Sequence, residues 1–428
     1  MEHLLIAIIV APGLTFLGFA LCWLIGWIPP ERLVSRITST LFGLLSAAAV
    51  WLAVWMITSG TVSLHVPLGE WFRAGSYYFP LMLVADRLSL PLIVLTVILS
   101  GIIGVFSVRY IHRDKGFFRF FVLLHLFAFG SLCLFAAGSI DMLIGGWELV
   151  GVTSVLLVAF FDERSEPVNN ALRVFANYRI ADVGLLISSF LLHHDGSTLF
   201  PMLFIGDWPQ QASTLSHQTS VIAGFLLLVA ACGKSAQGPF AGWLPRAMEG
   251  PTPSSSIFYG AISIHAGAYL LLRFEPLLRG APEVAAAVIV VGLLTSIVGT
   301  LAHRAATDVK SSVAYASMSQ VGLIFAEIGF GFPRLALFHL IGHAAIRTLQ
   351  FLRAPSMLHD HHRVHAAMGG HTSPEGSHLQ AVPMPHILRL WLYRFSLERG
   401  FYEVWLDRMM VQPAMRFSRL LCGLEKHQ

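Results

Sequence analysis

Apolar runs of about 20 residues recur along the chain, and runs of that length predict membrane-spanning helices. They lie near 4–28, 38–58, 88–107, 117–137, 140–161, 171–193, 220–247, 255–276, 283–303, 311–331 and 334–354. Pro239, Gly242 and Pro245 interrupt the seventh run, and these residue types break helices. The pattern therefore predicts an all-α polytopic membrane protein of about eleven transmembrane helices, with the seventh helix broken.

Composition supports a membrane location. Hydrophobic residues fill 55% of the 428 positions and charged residues 12%, about half the charged share of a soluble domain. The four cysteines stand singly, so we expect neither a disulfide framework nor a zinc site from them. The first apolar run lacks a small-residue cleavage site and is predicted to span rather than to be a cleaved signal. The small net charge of +4 argues against a nucleic-acid partner.

The distribution of basic residues predicts the orientation. Segment 109–115, with the sequence RYIHRDK, is the most basic short loop and is expected on the cytoplasmic side. Alternation of the spans then places the N-terminus outside and the tail inside. Segment 61–80 falls outside and alternates apolar with polar positions, which predicts a small hairpin lying on the membrane surface.

The chain is predicted to have three regions. Residues 1–355 form the transmembrane domain. Residues 356–386 are rich in His, Gly and Pro and are expected to form a cytoplasmic loop. Residues 387–428 are too charged to span and predict an amphipathic helical tail that docks a partner. A histidine tract can bind metal, but this one lacks a recognised ligand spacing, so we predict a solvated segment or a partner contact.

The most unusual residue is Lys234, which lies within the seventh apolar run directly before the helix-breaking residues. A cation at membrane depth costs several kcal/mol unless it is paired or hydrated, so an intramembrane lysine indicates an ion path. Glu148 lies within the fifth span and is the predicted counter-ion. Two alternatives stay open. Lys234 could reach the interface from a helix end, and the pair could be static and only hold two helices together.

Further polar residues fall inside spans. Arg179 and Asp182 are three residues apart, so they share a helix face and are predicted to pair, in a structural or a working role. His265 in the eighth span is either a hydrogen-bonded core residue or a relay member. Lys310 begins the tenth span, where it either lies on the ion path or anchors the helix at the interface.

The eleventh span carries a polar stripe. His339, His343 and Arg347 repeat every four residues and therefore line one helix face. Two histidines at this spacing resemble half of a metal site, but no glutamate follows the first one as in H-E-x-x-H. We therefore predict a hydrated relay of titratable groups rather than a metal site.

Five parts of the sequence together resemble a known family. They are WELVG at 147–151, GKSAQ at 233–237, GPTP at 250–253, TDVK with AYASMSQ between 307 and 320, and FHLIGH at 338–343. In this order they are similar to the proton-translocating antiporter-like family, which includes the large membrane subunits of respiratory complex I and subunits of multisubunit sodium/proton antiporters. The resemblance covers about residues 80 to 355. It implies an antiporter-like fold in which Glu148 and Lys234 form a coupled pair on the ion path.

The second half departs from that pattern. Family members that pump protons continue into further spans, including a second broken helix with its own lysine. Here we expect a truncated second repeat that stops at the eleventh span, with Arg347 where a lysine is usual. The strings QFLRAPS at 350–356 and LERGF at 397–401 are similar to the short membrane subunits of DabA–DabB inorganic carbon transporters.

The likeness to those transporters implies a cation-conducting, non-enzymatic subunit in the inner membrane. H⁺ or Na⁺ would pass through it and drive hydration of CO₂ to bicarbonate on a large cytoplasmic DabA-like partner. Zinc would belong to that partner, and no cofactor is expected in this chain. Two alternatives stay open: a proton-pumping subunit of a complex I-like or Mrp-antiporter-like assembly, and a scaffold whose buried charges only hold helices together.

Overall fold

The computed structural model of the protein describes residues 1–354 apart from 76, 196 and 307, residues 385–398, and the single positions 400, 408, 412, 413 and 416. The loop predicted over 356–386 lies outside these residues except at its last two positions. Most of the tail predicted over 387–428 also lies outside them, apart from its first helix. The three predicted regions therefore stay predictions.

Long helices form most of the described chain. In chain order they are α1 (Glu2–Leu24), α2 (Glu31–Ser59), α3 (Ser89–Tyr110), α4 (Phe117–Phe135), α5 (Ile140–Val158), α6 (Ser165–His194), α8 (His217–Lys234), α12 (Pro282–Ala305), α13 (Val309–Gly329), α14 (Pro333–Arg353) and α15 (His386–Leu397). The short helices are α7 (Phe200–Leu203), α9 (Thr252–Ser255), α10 (Ala266–Arg273) and α11 (Glu275–Gly280).

Ten helical segments in the described residues are long and apolar enough to cross a membrane. One of them is Thr252–Arg273, which joins α9 and α10 through a π-helical turn, Ser256–Ala261, and a 3₁₀ turn, Ser263–His265. Helix α13 corresponds to the predicted tenth span but is not among the ten. An all-α polytopic membrane fold of the predicted class is confirmed.

Two small sheets lie outside the spans. Strands β1 (Ser63–Ala74) and β2 (Tyr77–Asp86) pair antiparallel, with Ser63 opposite Asp86, and form the hairpin predicted in this region. Strands β3 (Phe204–Ile205) and β4 (Ala212–Ser213) form a second pair. Helix α3 starts directly after β2 and ends at the basic loop 109–115, so the hairpin and that loop lie on opposite sides of the membrane.

Local sequence signals explain where several helices begin. Ser139 accepts a hydrogen bond from the Met142 amide at 3.2 Å, and Asp308 accepts one from the Ser311 amide at 2.8 Å. These are N-caps, which satisfy amides that have no partner within the helix. They fix the starts of α5 and α13, two helices that carry polar residues of the site.

The seventh span is broken as predicted. Helix α8 ends at Lys234, and 3₁₀ turns at Ala241–Trp243 and Pro245–Glu249 follow before α9 begins. At this end α8 lies very close to α6: a methyl carbon added at Gly233 would lie 2.1 Å from Cβ of Ala181. Only glycine fits there, so the close helix contact holds Lys234 against α6.

The eighth span is the centre of the bundle. Every residue of its most apolar 18-residue window is buried, whereas only 33% and 28% of the residues in the corresponding windows of α1 and α2 are buried. Its first half is irregular, because the π-helical and 3₁₀ turns interrupt the α-helix before His265. Irregular backbone at membrane depth is tolerated where protein surrounds it, and here both the seventh and the eighth spans contain it.

Candidate functional site

Lys234 is the last residue of α8 and is completely buried. Its Nζ donates a hydrogen bond to the backbone oxygen of Trp147 at 3.1 Å. The same atom lies 4.8 Å from the ring centre of Trp147 and 4.4 Å from that of Tyr178. A carbonyl dipole and two aromatic faces all favour a cation. The full burial excludes the alternative in which Lys234 reaches the interface.

Gly151 makes this contact possible. Residue 151 follows Trp147 by one helical turn on α5, so its side chain would lie over the Trp147 carbonyl. A methyl carbon at this position would lie 2.8 Å from Nζ of Lys234. The glycine therefore leaves the space in which the ammonium group reaches the helix backbone.

Glu148 does not pair directly with Lys234. Its carboxylate forms an ion pair with Arg179 on α6, and Arg179 also bonds to Asp182 at 2.8 Å. Among the described residues, no carboxylate lies within 4.0 Å of Lys234. The predicted direct Glu148–Lys234 pair is therefore wrong in its geometry, because Arg179 takes the carboxylate while the lysine turns to the α5 backbone. The predicted Arg179–Asp182 pair is confirmed.

These residues nevertheless form one cluster. Trp147 connects them, because its Nε1 donates to Asp182 at 2.6 Å while its backbone oxygen accepts from Lys234. The formal charges of Lys234, Arg179, Glu148 and Asp182 sum to zero. The cluster is also partly open at one side, since the side chains of Glu148 and Arg179 are 29% and 36% exposed.

The break after α8 is tied to the eighth span next to His265. The Ser235 hydroxyl donates to the backbone oxygen of Ile264 at 2.6 Å and accepts from the Gly267 amide at 3.1 Å. Gln237 donates to the backbone oxygen of Ser235 at 2.9 Å. No hydrogen bond joins Lys234 to His265 within the described residues, so Ser235 is the structural link between them.

Lys310 holds the far end of the break. Its Nζ donates to the backbone oxygens of Met248 and Gly250, each at 2.9 Å. Lys310 therefore supplies hydrogen bonds to carbonyl groups that the interrupted helix leaves without intrahelical partners. Lys310 is therefore bound to the broken segment, in addition to lying near the membrane interface.

His265 and His343 form a hydrogen-bonded pair across the eighth and eleventh spans. Nε2 of His265 and Nδ1 of His343 are 2.7 Å apart. The other ring nitrogen of His265, Nδ1, lies 2.9 Å from the Ala261 carbonyl oxygen. On the other side of the pair, Nε of Arg347 donates to Nε2 of His343 at 3.3 Å. A carbonyl can only accept and this arginine nitrogen can only donate. For neutral imidazoles the bonds then run in one direction, from Arg347 through His343 and His265 to Ala261.

His339 belongs to a neighbouring group of polar residues. One of its ring nitrogens lies 2.8 Å from the carboxylate of Glu327, and the other lies 3.1 Å from Oε1 of Gln320. Both partners lie on α13 and were missed from the sequence. Their seven-residue spacing, two turns on one helix face, was the available signal. The predicted stripe of His339, His343 and Arg347 is thus divided between two sets of partners.

A polar cavity of about 330 Å³ opens near Lys310. Its walls come from the broken segment, from the start of α13 and from α15. Polar lining residues include Asn170, Arg246, Glu249, Asp308 and Ser311. It lies on the membrane side where the basic loop 109–115 is found, because α13 begins where α12 has returned to that side.

Two family models match the chain. The model described as "NADH:quinone oxidoreductase/Mrp antiporter, TM" matches residues 136–370, which is more than half of the chain. The model described as "NADH-Ubiquinone oxidoreductase (complex I), chain 5 N-terminus" matches residues 71–121. The first match includes every predicted site residue.

Curated relatives point to the same family. The chain is 32% identical over 360 residues to an NADH-quinone oxidoreductase subunit L of Campylobacter jejuni, covering 84% of this chain and 58% of that protein. It is 34% identical over 316 residues to a probable inorganic carbon transporter subunit DabB1 of Halothiobacillus neapolitanus, covering 73% and 55%. The chain thus spans little more than half the length of these relatives.

A solved structure agrees with this assignment. The Mrp complex from Dietzia sp. DQ12-45-1b contains a chain that superposes with a TM-score of 0.67 at 26% identity, covering 81% of this chain and 37% of that one. The fold, the matched family models and the relatives concur. The chain belongs to the NADH:quinone oxidoreductase/Mrp antiporter family of transmembrane subunits.

Proposed function

We propose that this chain conducts a monovalent cation, H⁺ or Na⁺, across the membrane as a non-enzymatic subunit of a larger complex. The observation that carries the proposal is Lys234. It is a fully buried amine at the end of an interrupted helix, bound to a backbone carbonyl beside two carboxylates and an arginine. A static core needs no such arrangement, and intramembrane charges mark ion paths in transporters.

The neutral charge balance of the cluster suggests how it works. A proton that arrives on Glu148 or Asp182 gives the four residues a net charge of +1. The added charge is not screened by water at this depth, so it favours release of a proton from Lys234. Ser235 connects that amine to the segment carrying His265, and the pair with His343 lies beyond it. The arrival of a proton at the carboxylates on one side of Lys234 is thereby coupled to the release of a proton from Lys234 towards the histidines on the other side.

The cavity near Lys310 fits an entrance on the cytoplasmic side. It is polar, reaches the broken segment, and lies on the same membrane side as the basic loop. The positive-inside rule supports placing this side and the tail in the cytoplasm. The similarity to bacterial membrane subunits supports a location in the inner membrane. Arg109, Arg113 and Lys115 contribute the positive charge of the loop.

The specific role we propose is inorganic carbon accumulation. Ion flux would drive CO₂ hydration on a large cytoplasmic zinc subunit of the DabA type, which would carry all of the zinc chemistry. Support comes from the similarity to DabB1 and from the strings at 350–356 and 397–401, of which positions 355, 356, 399 and 401 lie outside the described residues. Helix α15 adds a docking surface, because Ile387, Leu390 and Trp391 on it are 83%, 50% and 52% exposed.

Lys234→Ala tests the proposal, with Lys115→Ala as the matched control on an exposed lysine. Both variants are reconstituted in vesicles with their native complex, and flux is followed with a pH-sensitive dye and with ²²Na⁺. In cells, bicarbonate accumulation is measured in parallel. We expect Lys234→Ala to abolish flux and uptake while the complex still assembles, and Lys115→Ala to leave both unchanged. Normal flux with Lys234→Ala would rule out the proposed role.

A redox-driven proton pump is the second candidate, favoured by the similarity to the quinone oxidoreductase subunit. Purification of the native complex under mild conditions separates the two candidates. A large soluble zinc protein in the complex supports carbon accumulation, whereas quinone-linked redox subunits support the pump.

A further inference from the structure

A column of buried polar residues extends from His265 towards the hairpin formed by β1 and β2. His265, Tyr269 and Arg273 follow one another every four residues, so they share one face of the eighth span. Each of the three is at most 1% exposed. Such a column in the centre of a membrane bundle is costly unless its polar groups are paired or hydrated, and intramembrane ionisable residues mark functional sites. The cluster around Lys234 does not involve its outer two members.

The outer two residues form a network with the end of the hairpin. The Tyr269 hydroxyl donates to the Phe135 carbonyl at 2.8 Å and accepts from Arg273 at 3.2 Å. Arg273 also donates to the two oxygens of Asp86 at 2.5 and 3.3 Å. The buried ion pair therefore joins the last residue of β2 to the outer end of the eighth span.

A cavity of about 280 Å³ lies directly on this network. Its polar lining includes His65, Asp86, Arg87, Asp207, Gln211 and Arg273. Two buried polar atoms at its wall, Oε1 of Gln211 and Nε of Arg273, have no hydrogen-bond partner in the described part of the chain. A polar cavity of this size with free donors and acceptors suits water. It opens on the hairpin side, opposite the basic loop.

We propose that this cavity is the outer vestibule of the ion route, that the Asp86–Arg273 pair is its closed floor, and that the ion which passes is a proton. The proposal rests on the cation conduction proposed above and names its outer exit and its ion. A guanidinium carries a permanent positive charge. The closed Asp86–Arg273 pair is neutral overall, but a Na⁺ ion that crossed the floor after the pair opened would pass the separated guanidinium in a buried site, where repulsion is weakly screened.

A proton can be handed on between hydrogen-bonded groups, so no metal cation has to move past Arg273. A proton on the imidazolium of His265 leaves once one ring nitrogen gives up its bond to Ala261 or His343, and water carries it along the rise of about 6 Å between positions 265 and 269. The Tyr269 oxygen takes it up as the hydroxyl turns from the Phe135 carbonyl and releases its own proton to water of the vestibule. His265 and Tyr269 both end neutral, so charge and atoms balance. Opening of the Asp86–Arg273 pair frees the Tyr269 oxygen for this exchange.

Cysteine labelling tests the vestibule. Gln211→Cys places a thiol at its wall, and Gln218→Cys places one on exposed surface at the start of α8 as the matched control. Both are made in a background without the native cysteines and treated from the hairpin side with a membrane-impermeant thiol reagent. Each variant's flux before labelling is its own reference. We expect both to be labelled, flux to fall at least about ten-fold for Gln211→Cys, and flux to stay unchanged for Gln218→Cys.

Either of two results would overturn the vestibule: failure of Gln211→Cys to react from the hairpin side, or complete labelling without loss of flux. A flux that requires Na⁺ would overturn the choice of ion. The double variant Asp86→Asn/Arg273→Gln removes the floor pair without leaving an unpaired charge. We expect it to admit Na⁺, and unchanged exclusion of Na⁺ would refute the role of Arg273. If the unmodified complex shows no flux, conduction itself fails, while the labelling rate still reports whether the cavity is open to water.

Discussion

The contact between Lys234 and the backbone of α5 depends on a single hydrogen atom, the side chain of Gly151. In Gly151→Ala the new methyl carbon would lie 2.8 Å from Nζ, whereas an ordinary contact begins at 3.4 Å. The ammonium group must therefore move by about 0.6 Å, the difference between these two distances. The end of a lysine side chain moves easily, so the fold survives while the bond to the Trp147 carbonyl is stretched.

The expected magnitude follows from that displacement. A misplacement of about 1 Å at a reacting group can lower a rate about 100-fold, so 0.6 Å is expected to lower flux about ten-fold. Gly145→Ala on the same helix is the matched control, because a methyl carbon there meets no atom within 4 Å. Both substitutions give the helix the same gain in propensity, about 1 kcal/mol.

Flux through reconstituted vesicles, normalised to the amount of assembled complex, separates the two variants. Gly145→Ala should match the unmodified protein, and Gly151→Ala should fall about ten-fold while it unfolds at the same temperature as Gly145→Ala. Equal flux in the two variants would refute the reasoning, because the position of the Lys234 amine would then not matter for conduction.

Two further predictions concern stability. Lys310→Met removes both bonds to the carbonyls of Met248 and Gly250 and should lower the free energy of unfolding by about 3 kcal/mol; thermal unfolding in detergent measures this, with exposed Lys115→Met as the control that should not change. Burial alone would raise the pKa of Asp86, but Arg273 and hydrogen bonds from Ser89 hold that pKa below its ordinary value. Its contribution to stability is therefore complete above the unfolded value of about 3.9 and lost as the pH falls through the lower folded value. The unfolding temperature should drop in this acid range, and Asp86→Asn should be less stable at neutral pH and lose that part of the drop; an identical acid profile would contradict the assignment.

The spans were predictable because apolar length and helix breakers are properties of single segments. Runs of about 20 residues gave the helices, and Pro239, Gly242 and Pro245 gave the break after Lys234. The irregular first half of the eighth span was not foreseen. Its π-helical turn forms among buried neighbours on other helices, and an apolar pattern contains no such information.

Contacts within one helix were also predictable, whereas contacts between helices were not. Arg179 and Asp182 are one turn apart, so their pair could be foreseen. Whether Glu148 pairs with Lys234 or with Arg179 depends on how α5, α6 and α8 cross. In the structure Glu148 pairs with Arg179, and the Lys234 amine bonds to a backbone oxygen. The bond between His265 and His343 likewise depends on the packing of two distant spans.

The partly exposed Glu148–Arg179 pair has a consequence for biogenesis. Around it the outer face is apolar, with Val152, Ile180 and Val183 each at least 41% exposed. A chain inserted alone would present two charged side chains to hydrocarbon, which costs several kcal/mol. A neighbouring subunit that covers this face removes that cost. Membrane quality control would then degrade the orphan chain, and its abundance in cells should follow that of its assembly partner.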